Sequence, residues 1–330
     1  MIGGAIALAF SLAALPPAFA QTPTQVPAPP AVAPAPAPKP PPEQVFIKPA
    51  TIDETLEVVG ESVSAKQINT RMQINVQING RGPFRFFVDS GADRSVIGEG
   101  LARRLALPAG PNVILHSTGS AKDVGTVKID HLRVGASDIR DINAPALPER
   151  YLGGDGMLGI DALVDQRMTI DFDAKTITVQ DTHRADTAAG PDEVVITARR
   201  RKGQLILTQA YAGTRIAAVI DSGTEITVGN SALRAKLLRH RREPVLTTTL
   251  ISVTGDIIPA DLLLVPEIKI GDLTVKNVLI AFTDIPPFKL FGLEKEPAIL
   301  LGTDILSVFR RVSLDFRRRK VRFTLRPGSR

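Results

Sequence analysis

The chain has no cysteine and no tryptophan, and only two tyrosines and four histidines. Without cysteine the fold cannot use disulfides, so its core must hold by packing alone. The same absence excludes thiol catalysis and thiolate metal sites. His116, His131, His183 and His240 show no metal-ligand spacing, so no metal site and no cofactor are expected. Long apolar runs are scarce as well. Beyond the N-terminus no segment approaches the roughly 20 apolar residues of a spanning helix.

The N-terminal stretch MIGGAIALAFSLAALPPAFA ends in Ala18-Phe19-Ala20. That ending has the small-x-small form of a leader cleavage site, so residues 1–20 are expected to be a signal peptide and the mature protein periplasmic or secreted. It lacks the usual early Lys or Arg, and an uncleaved anchor is the rival reading. Residues 21–49 are crowded with proline and should form an extended linker that buries no core. Residues 44–64 read as an edge strand of a first lobe, with a propeptide as the alternative. The net charge of +6 is concentrated in ARRRK (198–202), RHRRE (239–243) and FRRRK (316–320). Acids are interleaved and aromatics few, so these clusters read as solvated faces and hairpin turns; nucleic acid is not an expected partner.

What is abundant is self-similarity. FRFFVDSGADRSVI (84–97) has a counterpart in TRIAAVIDSGTEITV (214–228), placing Asp89 and Asp221 after apolar strands, 221 − 89 = 132 residues apart. Each is followed by a helical pattern, 98–107 and 230–240. Next come β-rich stretches with turns near Gly119 and Gly255, then apolar-Gly runs, MLG (157–159) and LLG (300–302). Each half closes on an alternating hairpin, 167–179 and 311–325. Five features in one order mark an internal repeat. Asp-to-Gly spacings of 159 − 89 = 70 and 302 − 221 = 81 put an insertion in the second half, near IPPFKLFGLEKEP (285–297). The expected architecture is mainly β with two lobes, 50–183 and 184–330, each carrying one short helix.

Two carboxyls brought together by equivalent loops cannot both ionise at close range. One keeps a proton and polarises a carbonyl while the other takes a proton from water, which suffices for amide hydrolysis without a metal. Gly91 and Gly223 permit tight loops, and Ser90 and Ser222 can bond across to the opposite loop.

FVDSGA and VIDSGT, with MLG and LLG beneath them, resemble the signature of aspartic proteases of the pepsin and retropepsin group, in particular exported bacterial members with two lobes in one chain. The likeness covers roughly residues 65–326 in both halves. It implies a bilobal fold of two pseudo-twofold-related β-barrels and a dyad of Asp89 and Asp221, supported by Ser90, Gly91, Ala92, Ser222, Gly223 and Thr224. It also implies flaps with tips near Gly119 and Gly255, and substrate contacts from Asp93 and Glu225, for which solvated loop acids are an equal alternative. The partner implied is a peptide or protein substrate, cut by an endopeptidase acting as a monomer without stable membrane insertion after leader removal; a non-catalytic peptide-binding module is the alternative. Two tyrosines, Tyr151 and Tyr211, fall outside the first flap, so the pepsin-type flap tyrosine is absent. Thr224, opposite Ala92, is expected to donate a hydrogen bond to the dyad and lower its pKa values. Asp161 and Asp304 are expected to cap the helices that follow them.

Overall fold

The structure is a computed structural model and describes residues 5–7, 10–11, 51–52, 71–134, 137–163, 166–181, 189–239 and 246–327. The lobe boundary expected at 183 and most of the basic run 239–243 lie outside these residues, as does most of 44–64.

Alternating apolar residues in QINVQI place Val76 and Ile78 in the interior while their neighbours face out. Strand Arg81–Val88 begins exposed and ends with Phe86, Phe87 and Val88 all buried. It delivers Asp89 into the molecule. The first lobe closes into a six-stranded barrel in the order Gln73–Ile78, Arg81–Val88, Gly156–Leu158, Val96–Gly98, Ser137–Leu147 and Thr126–Val134.

The second lobe repeats this ring strand for strand: Gln204–Tyr211, Arg215–Ile220, Ala298–Leu301, Val228–Gly229, Leu273–Phe282 and Ile257–Ile270, the last pairing back to the first. The senses match too. In each lobe the apolar-Gly strand lies parallel to the strand that precedes the DSG loop and antiparallel to the strand that follows it. The fold is therefore mainly β, with two retropepsin-like lobes.

The closing hairpins of the two halves join in one five-stranded sheet at the base, where Gln166–Asp171 pairs antiparallel with Arg311–Asp315. The FRRRK run is the turn of one of these hairpins. Its Arg318 pairs with Asp315, a residue that also takes Arg167 from the other half.

The expected helices appear as Glu99–Arg104 and Ser231–Leu238, the second capped by Asn230, whose Oδ1 accepts from Leu233 N at 3.0 Å. Each lobe has more than the single helix expected. Short turns at Glu149–Leu152 and Ile160–Ala162 have counterparts at Pro286–Leu290 and Thr303–Leu306. These segments are too short to show a helical period in sequence. The extra residues near 285–297 lie in the turn after helix Pro286–Leu290, and Phe288 of that helix with Phe291 and Leu293 of the turn fill a second-lobe core with Val219, Leu250 and Leu300. A further correction concerns 44–64. Its described part, Thr51–Ile52, pairs with Leu273–Phe282 of the second lobe and is not a first-lobe edge.

Candidate active site

Asp89 and Asp221 each begin the loop that leaves a buried strand, and both are fully buried. The apolar-Gly strand beneath holds each in place: Asp89 N donates to Leu158 O (2.9 Å) and Asp221 N to Leu301 O (3.0 Å). The turns then fold back on their own acids. Gly91 N and Ala92 N donate to Asp89 Oδ1 at 2.7 and 3.0 Å, and Gly223 N donates to Asp221 Oδ1 at 3.0 Å.

The loops cross at the serines. Ser90 N donates to Ser222 Oγ and Ser222 N to Ser90 Oγ, both at 3.0 Å. The hydroxyls continue across, Ser90 Oγ to Ile220 O (3.1 Å) and Ser222 Oγ to Val88 O (3.0 Å). Two buried bonds thus join loop to loop and two more tie each loop to the strand that carries the other acid, so the two aspartates become mutual neighbours.

The electrostatics follow from that placement. Burial raises the Asp89 pKa well above its ordinary value, and the facing charge of Asp221 raises it further against the loop N–H groups. Burial pushes Asp221 up to about 7, although the Gly223 N–H, the neighbouring Asp89 and Thr224 favour its charged form. Among the described residues Asp221 Oδ2 is buried with no hydrogen-bond partner of ordinary geometry. The Thr224 hydroxyl is buried beside Asp221 and favours its ionisation, as expected, but makes no hydrogen bond of ordinary geometry.

Asp161 and Asp304 do more than was expected of them. Each accepts from a first-turn N–H of the helix it begins, Ala162 N at 2.9 Å and Ile305 N at 2.8 Å, although the cap position itself is a glycine. Each acid also clamps a hydroxyl residue six positions after the DSG Asp. Ser95 donates from N (3.0 Å) and Oγ (2.7 Å) to Asp161, and Thr227 donates from N (2.9 Å) and Oγ1 (2.8 Å) to Asp304. Burial raises both acids, Asp304 to about 6. The glycines of MLG and LLG make this join possible. A Cβ on Gly159 would lie 2.4 Å from Arg94 C, and one on Gly302 would lie 2.7 Å from Ile226 C. The requirement is close approach, since neither glycine has a positive φ.

The flaps are hairpins Val113–Ser117/Ala121–Val124 and Leu246–Ser252/Ile257–Ile270. Gly119 and Gly255 lie at their tips, as expected, and the tips are locked together. Asp256 accepts from Ser120 Oγ (2.8 Å), Ser252 Oγ (3.1 Å) and Thr254 Oγ1 (2.5 Å), and Lys122 Nζ pairs with its Oδ1 at 2.7 Å. Partial burial opposes the charge on Asp256, but Lys122 and the hydroxyls outweigh it and hold the carboxyl far below the usual range. Val253 is fully buried in a first-lobe cluster with Phe87, Leu115, Leu147, Leu152 and Met157. Tyr151, off the first flap in sequence, stands at the second flap tip, where a Cβ on Gly255 would lie 2.5 Å from its ring.

Of the two substrate-contact candidates, Glu225 is tied to Arg71 at 3.1 Å, with side chains only 8% and 4% exposed. Arg71 also stacks over Phe87, 4.2 Å from the ring centroid. Asp93, its first-lobe equivalent, is half-buried. Sequence reasoning missed Arg71, Ser95, Thr227, Val253 and Gln204, whose Nε2 donates to Gly91 O at 2.9 Å. Only Ser95 and Thr227 had a usable signal, a hydroxyl at the same offset in both repeats.

Comparison with known families agrees with this geometry. Residues 74–165 match the gag-polyprotein putative aspartyl protease family, and residues 208–305 match the aspartyl protease family. Each half thus carries its own match to an aspartyl protease family. Each matched segment spans its domain's DSG loop, flap and apolar-Gly strand. No curated protein matches the chain.

Proposed function

We propose that the chain is an exported aspartic endopeptidase in which Asp89 and Asp221 activate one water against a peptide carbonyl. The observation that carries this is the crossed pair of DSG loops, which buries two carboxyls that hold a proton between them. The ionised member removes a proton from water, whose oxygen forms the bond to the carbonyl carbon. The protonated member donates to the carbonyl oxygen, and collapse of the tetrahedral species sends a proton to the leaving amine. The flaps present strand edges to which an extended substrate adds. The partner is a peptide segment of an envelope or unfolded protein, and one chain supplies both aspartates, so a monomer suffices. Export rests on the leader-like residues 1–20 and places the protein in the periplasm or outside the cell.

The test is cleavage of a denatured protein mixture by the intact chain. Cleavage blocked by a pepstatin-type inhibitor and by Asp89→Asn is expected. Peptide binding without any cleavage would overturn the reading in favour of a binding module.

A further inference from the structure

Two of the basic runs in the sequence come together in the fold. The ARRRK run leaves the base sheet at Thr197, which pairs with Lys320, and Ala198 N donates to Arg319 O of the FRRRK turn at 2.8 Å. Segments 319 − 198 = 121 residues apart thus share one corner of the molecule. The fold uses some of these cations. Arg318 pairs with Asp315, and Arg201 donates to Phe291 O, holding the turn that leads to Glu296 and Pro297. Arg199, Arg200, Lys202 and Arg319 are exposed, and their side chains pair with no acid among the described residues.

Beside this corner lies a groove of about 480 Å³, lined by Arg199, Thr208, Gln209, Arg215, Glu296 and Pro297. Its volume is that of a ligand cleft, about 300–1,000 Å³. Arg199 stands opposite Ile206, and opposed residues share a sheet face. Here that face is the outer one, on which Phe288 and Phe291 pack. Arg215, like Arg199, pairs with no acid among the described residues. Two uncompensated guanidiniums therefore line one concave surface, and Thr208 and Gln209 add hydrogen-bonding groups between them.

The chemistry selects the occupant. A guanidinium offers paired N–H donors that match the two oxygens of a carboxylate. Glu296 on the far wall opposes a dense polyanion, whereas a peptide spaces its carboxylates apart. A flat anionic membrane does not reach the floor of a groove. A second copy of the chain would set arginine against arginine, because Arg199–Arg201 ends its sheet.

We propose that this groove binds an acidic, extended peptide segment at a place separate from the dyad cleft. Strand Arg215–Ile220 runs from the groove to Asp221, 221 − 215 = 6 residues on and roughly 20 Å along the strand. A protein substrate held here by an acidic stretch presents a neighbouring segment to the cleft at raised local concentration. That last step alone rests on the endopeptidase reading.

The experiment titrates the full chain with a fluorescent peptide of alternating Glu and Ser. Saturable binding is expected, weakened by salt and weakened at least about tenfold in Arg199→Ala with Arg215→Ala. Both arginines are exposed, so the double variant should melt where the unaltered chain does. Equal binding by the variant, or none by the unaltered chain, overturns the proposal. An equal loss in Arg103→Ala with Arg133→Ala, two exposed arginines of the first lobe, also overturns it, since net charge alone would then be acting. Vesicles of anionic phospholipid should leave the bound peptide in place; displacement by them would assign the surface to a membrane instead. None of these readouts requires hydrolysis. A chain that binds the acidic peptide but cleaves no denatured protein removes the endopeptidase reading and leaves the groove standing; cleavage without binding does the reverse.

Discussion

The dyad's asymmetry lies in single residues. Asp221 has Thr224 where Asp89 has Ala92, and Thr224 favours ionisation of Asp221, whose pKa is about 7. Thr224→Ala removes that help, so the pKa of Asp221, the member that ionises first, rises and the acid limb of the pH–rate profile moves upward. A profile that stays in place would show that Thr224 does not act on the pair. Thr224 was legible because the two repeats could be aligned residue by residue. Arg71 was not, because nothing in its neighbourhood repeats. Its guanidinium finds Glu225 through the fold, 225 − 71 = 154 residues away. The same limit hid Gln204, which reaches Gly91 across the lobes.

Each barrel depends on an apolar-Gly strand pressed against its DSG loop. Gly302→Ala puts a methyl group 2.7 Å from backbone at Ile226, an overpacking expected to cost about 1–3 kcal/mol. Urea unfolding measures it, and an unchanged midpoint would mean that the loop yields freely. The flap tips make a second, separable element. Removing the carboxylate in Asp256→Ala leaves Lys122 and the hydroxyls of Ser117, Ser120, Ser252 and Thr254 without their common acceptor, so the flaps open more readily. KM for a peptide should rise several-fold while the melting temperature changes little; an unchanged KM would show the latch to be idle. The β-strands, the repeat order and the insertion could be read from alternation and spacing. The latch could not, because it joins side chains from hairpins 256 − 120 = 136 residues apart, and neither tip carries a period of its own. The helical turns of three to five residues were beyond reach for a related reason, being too short to show a helical period.

For the molecule as a whole, joining two half-sites means burying two acids, and that has a cost that depends on pH. Both folded-state values lie above the ordinary 3.8 of an aspartate, so the unfolded chain releases its protons first. Stability must therefore fall as pH rises from about 4 toward 7 and level off once the folded pair has ionised. Asp221→Asn should flatten this slope and stabilise the protein at neutral pH; a slope unaltered by the substitution would place the linked protons elsewhere. The pairing of the lobes was implied by the repeated DSG alone, whereas the shared base sheet emerged only from the interleaving of the two closing hairpins. The most direct test of the account is cleavage of a denatured protein mixture by the intact chain beside its Asp89→Asn form. The account predicts cleavage by the first and a loss of at least about 10²-fold in the second. Equal cleavage by both, or none by the unaltered chain, would contradict it.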